Sequence, residues 1–163
     1  ENLGYYIDKY NTWSSYAPED KGVLVAYASI YGGTKKAAEL LGEKLKAAGV
    51  EKVVVSDLAR SDMAEVIEDA FRYDRMVVAA PTYDAGLFPV MEDFLNHLKA
   101  KNYSNRKVGV VENGTWAPMA AKKMTEILAT LKNVTLAETV VTVKSTLSAE
   151  SEAAMDKLVQ ELV

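Results

Sequence analysis

The stretch Val-Leu-Val-Ala-Tyr-Ala, residues 23–28, is followed directly by Ser29-Ile30-Tyr31-Gly32-Gly33-Thr34, and a helical spacing of apolar residues begins after Lys35. This order predicts a buried strand, a short glycine-containing turn and a helix. Such a turn directs backbone N–H groups toward one point, and the helix adds its unpaired N–H groups and positive dipole end. The hydroxyls of Ser29 and Thr34 add neutral donors. The stretch therefore predicts a phosphate site, although an ordinary turn with Thr34 as helix N-cap explains the same residues.

The turn lacks the marks of two common nucleotide sites. A nucleotide-triphosphate loop has a glycine five positions before its Gly-Lys-Ser/Thr ending, but Tyr27 stands five before Gly32, and Lys35 follows Thr34. The dinucleotide fingerprint needs a third glycine three residues after the glycine pair, and none is present. A small terminal phosphate, held by backbone and hydroxyl groups, fits the turn better.

Composition limits the class of protein. The chain has 163 residues, 49% of them hydrophobic, which is enough for one domain with a sizeable core. A net charge of −4 argues against nucleic acid or an anionic membrane as partner. The absence of cysteine excludes disulfides and thiolate metal sites, and the apolar runs are too short to cross a bilayer. We expect a cytoplasmic protein with no membrane or nucleic-acid contact.

From Gly22 onward, short apolar strands alternate with amphipathic helices, which predicts an α/β domain over residues 22–163. Because the strands are continuously apolar, both faces of the sheet should be buried, and right-handed crossovers then give a parallel sheet wrapped in helices. The predicted strands are Val23–Ala28, Val53–Val55, Met76–Ala80, Lys107–Val111 and Thr139–Val143. The predicted helices run from Lys35 to Ala48, Met63 to Phe71, Met91 to Leu98, Ala120 to Leu131 and Ala154 to Leu162.

Residues 1–21 differ in character from this domain. Apolar and aromatic side chains recur there at helical spacing, and a polar linker with Pro18 follows. The segment reads as an N-terminal helix and linker, either the tail of a preceding domain or a helix packed on the domain below. The residues on its apolar face are Leu3, Tyr6, Ile7, Tyr10 and Trp13.

Two further loops follow strands three and four. In parallel sheets, ligands bind beyond the carboxyl ends of the strands, where the winding direction reverses. The loops over residues 81–89 and 112–118 each contain an aromatic residue, a glycine and a hydroxyl. Packing within the loop explains either aromatic residue alone, but together they favour a flat heteroaromatic ligand.

These three loops resemble a known family. The turn at residues 29–34 is similar to the phosphate loop for flavin mononucleotide (FMN) in flavodoxins. Its amino-acid sequence most resembles that of the flavodoxin domain of flavodiiron proteins. The other loops resemble the second and third flavin loops of that family, and the likeness covers about Gly22 to Val163. Two positions depart from the pattern: Gly33, where relatives often carry a polar residue, and Glu112, where a small or apolar residue is expected at a strand end.

The resemblance implies a flavodoxin-like three-layer sandwich with a five-stranded parallel sheet, order 2-1-3-4-5, and helices on both faces. It also implies that residues 29–34 hold the phosphate, and that the second and third loops line the flavin ring. The cofactor-binding residues implied are Ser29, Ile30, Tyr31, Gly32, Gly33, Thr34, Pro81, Thr82, Tyr83, Asp84, Ala85, Gly86, Asn113, Gly114, Thr115 and Trp116.

The resemblance further implies an FMN-binding electron-transfer module of a flavodiiron-type oxygen or nitric oxide reductase. The family's di-iron cluster lies in a preceding metallo-β-lactamase-like domain, and this chain has a single histidine, His97, which we expect to be an ordinary helix residue. No catalytic or metal-binding residue is therefore expected here, and the partner is a redox protein or di-iron domain outside this chain, with a homodimer left open. An autonomous NAD(P)H:quinone-type reductase and a flavin-free docking domain remain as alternatives. A carboxylate at Asp84 is expected either to lower the flavin potential or to be only a solvated turn residue.

Overall fold

The structure is a computed structural model that describes residues 3–163. Helices and strands alternate along nearly the whole of this range. In chain order the elements are α1 Leu3–Ser14, β1 Asp20–Tyr27, α2 Gly33–Ala47, β2 Val53–Asp57, α3 Met63–Arg72, β3 Tyr73–Tyr83, β4 Gly86–Leu87, α4 Pro89–Ala100, β5 Lys107–Asn113, α5 Ala120–Leu128, β6 Thr135–Val143 and α6 Ala149–Leu162.

The main sheet is parallel, with strand order β2-β1-β3-β5-β6. These are the five predicted strands, so the expected order 2-1-3-4-5 is confirmed. The short strand β4 was not predicted, and it pairs antiparallel with the end of β3. The two residues between them, Asp84 and Ala85, both have positive φ angles, of 49° and 59°. A two-residue hairpin needs such angles, and Asp-Ala lacks the glycine that normally signals them, which is why the hairpin escaped prediction.

Both faces of the sheet are buried, as the continuous apolar strands predicted. Successive strand residues point to opposite faces. Leu24 packs with Phe94 in the cluster beneath α3, α4 and α5, whereas Val25 packs with Leu158 in the cluster beneath α2 and α6. The strand interiors are therefore enclosed, and only the ends of the strands are available for a ligand.

Some boundaries differ from the sequence prediction. Helix α5 ends at Leu128 rather than Leu131. Strand β1 begins at Asp20, inside the predicted linker, because Asp20 pairs with Tyr73 at the start of β3.

Helix α1 lies within the segment predicted as an N-terminal helix and linker, and none of its residues is buried. Its apolar side chains are open to solvent; Tyr10, for example, is 67% exposed. Glu19 connects the helix to the start of β1 because it accepts hydrogen bonds from Trp13 Nε1 and Lys9 Nζ, both at 2.5 Å. The guanidinium of Arg106 also donates to the carbonyl of Tyr16. The described residues of α1 therefore lie at the surface of the domain. Across this range, every helix is too short or too polar to cross a bilayer.

Candidate functional site

Loops from four strands converge at the carboxyl edge of the sheet. They surround a cavity of about 180 Å³. Three of these loops are the ones that the sequence singled out, and the fourth, which follows β6, was not predicted. The lining residues are Ser29, Ile30, Tyr31, Gly33, Thr34, Pro81, Thr82, Asn113 and Ser145.

The turn between β1 and α2 has the donor set of an anion site. The hydroxyl oxygen of Ser29 accepts hydrogen bonds from the N–H of Gly32 at 3.1 Å and of Lys35 at 3.3 Å, which closes the turn. Gly32 has a φ of 90°, a conformation that favours glycine. Within residues 3–163, the N–H groups of Tyr31, Gly33 and Thr34 donate to no protein acceptor. Unpaired donors at a helix N-terminus are suited to bind a phosphate.

Thr34 is not the N-cap of α2, so the capping role predicted for this side chain is wrong. The residue before the helix is Gly32, which has no side-chain cap bond, and Thr34 lies within the first turn. Its side chain is buried, and its Oγ1 accepts a hydrogen bond of 3.3 Å from Asn113 Nδ2.

Asn113 joins the first loop to two others. While its Nδ2 donates to Thr34, its Oδ1 accepts from the backbone N–H of Ser145 at 3.0 Å. The hydroxyls of Ser145 and Thr115 lie 2.7 Å apart, which adds a second link between the loops after β5 and β6. One side chain at the end of β5 therefore holds three loops of the site in register.

Thr82, in the second loop, uses its hydroxyl oxygen to cap helix α5. This oxygen accepts hydrogen bonds from the N–H groups of Met119 at 2.9 Å and Ala120 at 3.2 Å. A Cβ on Gly114 would lie 3.2 Å from the same oxygen, so the third loop approaches closely here. The hydroxyl proton of Thr82 remains available as a donor.

Glu112, which departs from the expected pattern, has a defined role. It is buried, with 7% exposure, although it precedes Asn113 at the end of β5. Its Oε1 accepts a 3.1 Å hydrogen bond from the N–H of Ala121, and its Oε2 accepts one of 2.8 Å from the hydroxyl of Thr142. Because Met119 provides no side-chain cap, Glu112 supplies from β5 the negative charge that the α5 N-terminus favours.

The three loops carry aromatic residues that are exposed to solvent: Tyr31 lines the cavity, whereas Tyr83 and Trp116 lie outside its lining. Tyr31 is 98% exposed, Trp116 is 89% exposed and Tyr83 is 49% exposed. Tyr83 is held by an edge-to-face contact with Phe88, with ring centroids 5.5 Å apart. Their ring faces are free to stack on a flat ligand. The predicted residues Asp84, Ala85 and Gly86 lie beside Tyr83 in the β3–β4 hairpin rather than in the cavity wall.

A larger cavity, of about 920 Å³, lies at the opposite edge of the sheet. It is bounded by Trp13, Phe71, Arg106 and the exposed His97, whose Nε2 is 3.5 Å from Asp93 Oδ1. No cluster of three or more potential metal ligands occurs among residues 3–163. Ligands of open parallel sheets bind at the carboxyl edge, so the smaller cavity is the candidate site.

Comparison with known proteins agrees with a site for a phosphate-bearing aromatic cofactor. A sequence model of the flavodoxin family matches residues 25–157, which is most of the chain. The chain therefore belongs to the flavodoxin family. It is a flavin-binding, electron-transfer domain related to the flavodoxin-like domains of flavodiiron proteins.

Two relatives show the range of similarity in sequence. An uncharacterised protein of Methanocaldococcus jannaschii is 31% identical over 121 residues, covering 74% of this chain and 30% of that protein. The rubredoxin-oxygen oxidoreductase of Megalodesulfovibrio gigas is 25% identical over 126 residues, covering 76% of this chain and 30% of that protein. The chain thus spans about a third of the length of these relatives.

Solved structures show the same fold. The rubredoxin oxygen:oxidoreductase of Desulfovibrio gigas superposes with a TM-score of 0.90 at 19% identity, over 98% of this chain and 39% of that one. An archaeal flavodoxin gives a TM-score of 0.73 at 19% identity, over 86% of this chain and 95% of that one.

Proposed function

We propose that this domain binds FMN and exchanges electrons through it. The observation that carries the proposal is the set of unpaired N–H groups of Tyr31, Gly33 and Thr34, which faces a cavity between three flavodoxin-type loops. Residues 29–34 would hold the phosphate, and residues 81–86 and 113–116 would line the flavin ring. The flavin, when bound, supplies one- and two-electron redox chemistry.

The donor chemistry favours a flavin that carries a phosphate. The turn offers backbone N–H groups and hydroxyls, but no basic side chain among residues 3–163 lines the cavity. In a chain with a net charge of −4, affinity for a phosphate must come from local donors rather than from a basic surface. We therefore expect FMN to bind more tightly than riboflavin, which has the same ring system and no phosphate.

A titration of the cofactor-stripped protein tests this proposal. Flavin fluorescence should be quenched at one equivalent of FMN, and riboflavin should bind at least about tenfold more weakly, because several charge-assisted hydrogen bonds are lost. Equal affinity for the two flavins, or no binding of either, would refute the proposed site.

We also propose that the domain is the flavodoxin module of a flavodiiron-type oxygen or nitric oxide reductase. The flavodoxin-like part of such proteins matches this chain along nearly its whole length, and the chain spans only 39–40% of two flavodiiron structures. The electron acceptor would then be a di-iron domain outside residues 1–163, or a separate redox protein.

The electron-transfer partner can be tested with the isolated parts. The flavin-loaded domain, reduced with dithionite, should be reoxidised without oxygen by the oxidised di-iron domain of a flavodiiron protein, and stopped-flow absorbance would follow the flavin. The domain alone should show no steady NAD(P)H-dependent quinone reduction. Sustained quinone turnover would instead support an autonomous reductase.

The segment at residues 1–21 is proposed to be the connection to that further domain. No residue of helix α1 is buried, and its apolar residues Leu3, Tyr6, Tyr10 and Trp13 are exposed. Exposed apolar faces of this kind are usually covered by a partner surface. In the isolated domain the same face would favour a homodimer, and a monomer at high concentration in analytical ultracentrifugation would contradict that expectation.

A further inference from the structure

We propose that the loop after β6, residues 144–147, is a fourth wall of the flavin site, and that Ser145 positions the phosphate-binding turn. This inference rests on the proposed binding of FMN. Ser145 lines the same cavity as the turn, although it belongs to none of the three loops recognised from the sequence.

The backbone of Ser145 reaches the turn in two ways, one of them through Asn113. The N–H of Ser145 donates to Asn113 Oδ1, and Asn113 Nδ2 in turn donates to the buried hydroxyl of Thr34. The carbonyl oxygen of Ser145 lies against Gly33, where an added Cβ would be only 2.4 Å away. A side chain at Gly33 would therefore displace the fourth loop.

This contact gives a physical reason for the departure at Gly33. The absence of a side chain there lets the β6 loop pack directly on the turn whose N–H groups would bind phosphate. Asn113 Nδ2 would lie 2.9 Å from the same added Cβ, so both neighbours depend on glycine at this position.

Ser145 adopts a costly conformation that the contacts hold in place. Its φ is 68°, in the left-handed region that side chains other than glycine rarely adopt. On either side of it, Thr146 N donates to the carbonyl of Lys144 at 2.8 Å, which closes a tight turn. A strained residue held by several contacts beside a binding site is typical of positions that organise ligand contacts.

The position of Ser145 should therefore affect the phosphate rather than the flavin ring. Its contacts reach Gly33 and Thr34, whose unpaired N–H groups belong to the proposed phosphate site, and they do so directly or through Asn113. Loss of the contacts should loosen these donors. FMN should then bind more weakly, while riboflavin, which lacks the phosphate, should bind as before.

Two substitutions of the same residue separate the backbone contacts from the hydroxyl. Ser145→Gly removes the hydroxyl but keeps the N–H, the carbonyl and a residue suited to positive φ. Ser145→Pro also removes the hydroxyl, but it eliminates the N–H and fixes φ near −65°. The affinities of the stripped variants for FMN and riboflavin are measured by fluorescence titration, with thermal unfolding of each stripped protein as a test of folding.

We expect Ser145→Pro to bind FMN at least about tenfold more weakly with little change for riboflavin. Ser145→Gly, which loses only the link to the Thr115 hydroxyl, should weaken FMN binding less than Ser145→Pro does. Gly33→Ala, whose Cβ would push on the same carbonyl, should give the same selective loss as Ser145→Pro, and it serves as the second test if Ser145→Pro does not fold.

Parent-like FMN affinity in the folded Ser145→Pro variant would overturn the inference, and so would equal losses for the two flavins. Where Ser145→Pro does not fold, either of these results in Gly33→Ala would overturn it. Failure of the parent protein to bind FMN would instead refute the proposed function, and with it the fourth wall.

Discussion

Removal of the buried carboxylate of Glu112 tests how the α5 N-terminus is fastened to the site. Glu112→Ala deletes the partners of the Ala121 N–H and the Thr142 hydroxyl. Hydrogen bonds to a charged group contribute about 1.5–3 kcal/mol each, and part of that total is offset because the carboxylate no longer has to be desolvated. We expect the free energy of unfolding to fall by about 2–4 kcal/mol.

Glu112→Gln is the matched control. Its amide oxygen can still accept from Ala121 N, and its NH₂ can donate to the oxygen of Thr142, so the loss should be about 1 kcal/mol or less, mainly from the charge at the helix terminus. Urea unfolding of the cofactor-stripped proteins, followed by circular dichroism, avoids any contribution from bound flavin. The reasoning is refuted if Glu112→Ala remains within about 0.5 kcal/mol of the parent, or if the two variants lose the same stability.

Other predictions concern the β3–β4 hairpin and the N-terminal helix. Ala85→Gly should raise the free energy of unfolding by up to about 1 kcal/mol, since φ is 59° there, and a decrease in urea unfolding would contradict this. Asp84→Asn should raise the midpoint potential of bound flavin, because a nearby negative charge disfavours electron uptake; an unchanged redox titration would argue against a role for this carboxylate. Hydrogen bonds from Lys9 and Trp13 lower the pKa of Glu19 below its usual value near 4.5. The hydrogen bonds from α1 to Glu19 should therefore be intact above pH 4.5 and lost as the pH falls through the lowered pKa. A chemical shift of the Trp13 indole N–H that stays constant down to pH 2 would count against this expectation.

The sequence predicted that the second and third loops contribute to the site, but it did not predict the hydrogen bonds that their side chains make. Thr82 is predicted to contact the flavin, and its oxygen also accepts hydrogen bonds from two N–H groups at the start of α5. Asn113 was expected to line the ring, and its amide also joins three loops. Such roles depend on contacts between groups that lie 30 or more residues apart along the chain. Local sequence patterns do not show those contacts.

The fold and the position of the candidate site were predicted from the sequence alone, and the fold is confirmed. Apolar strands of continuous hydrophobicity require burial on both faces, and a parallel sheet places every strand-to-helix turn with its donors at one edge. These are local and periodic properties, so residues 23–34 were sufficient to predict a phosphate site at the end of the first strand.

Tertiary structure alone decided how the site is held together. Ser145 lies 112 residues from Gly33, yet its carbonyl occupies the space that a side chain at Gly33 would need. Glu112, an anomaly in the sequence, is explained once Ala121 and Thr142 are seen beside it. Contacts of this kind arise from close packing between distant segments, and for that reason the sequence could point to the site without showing what supports it.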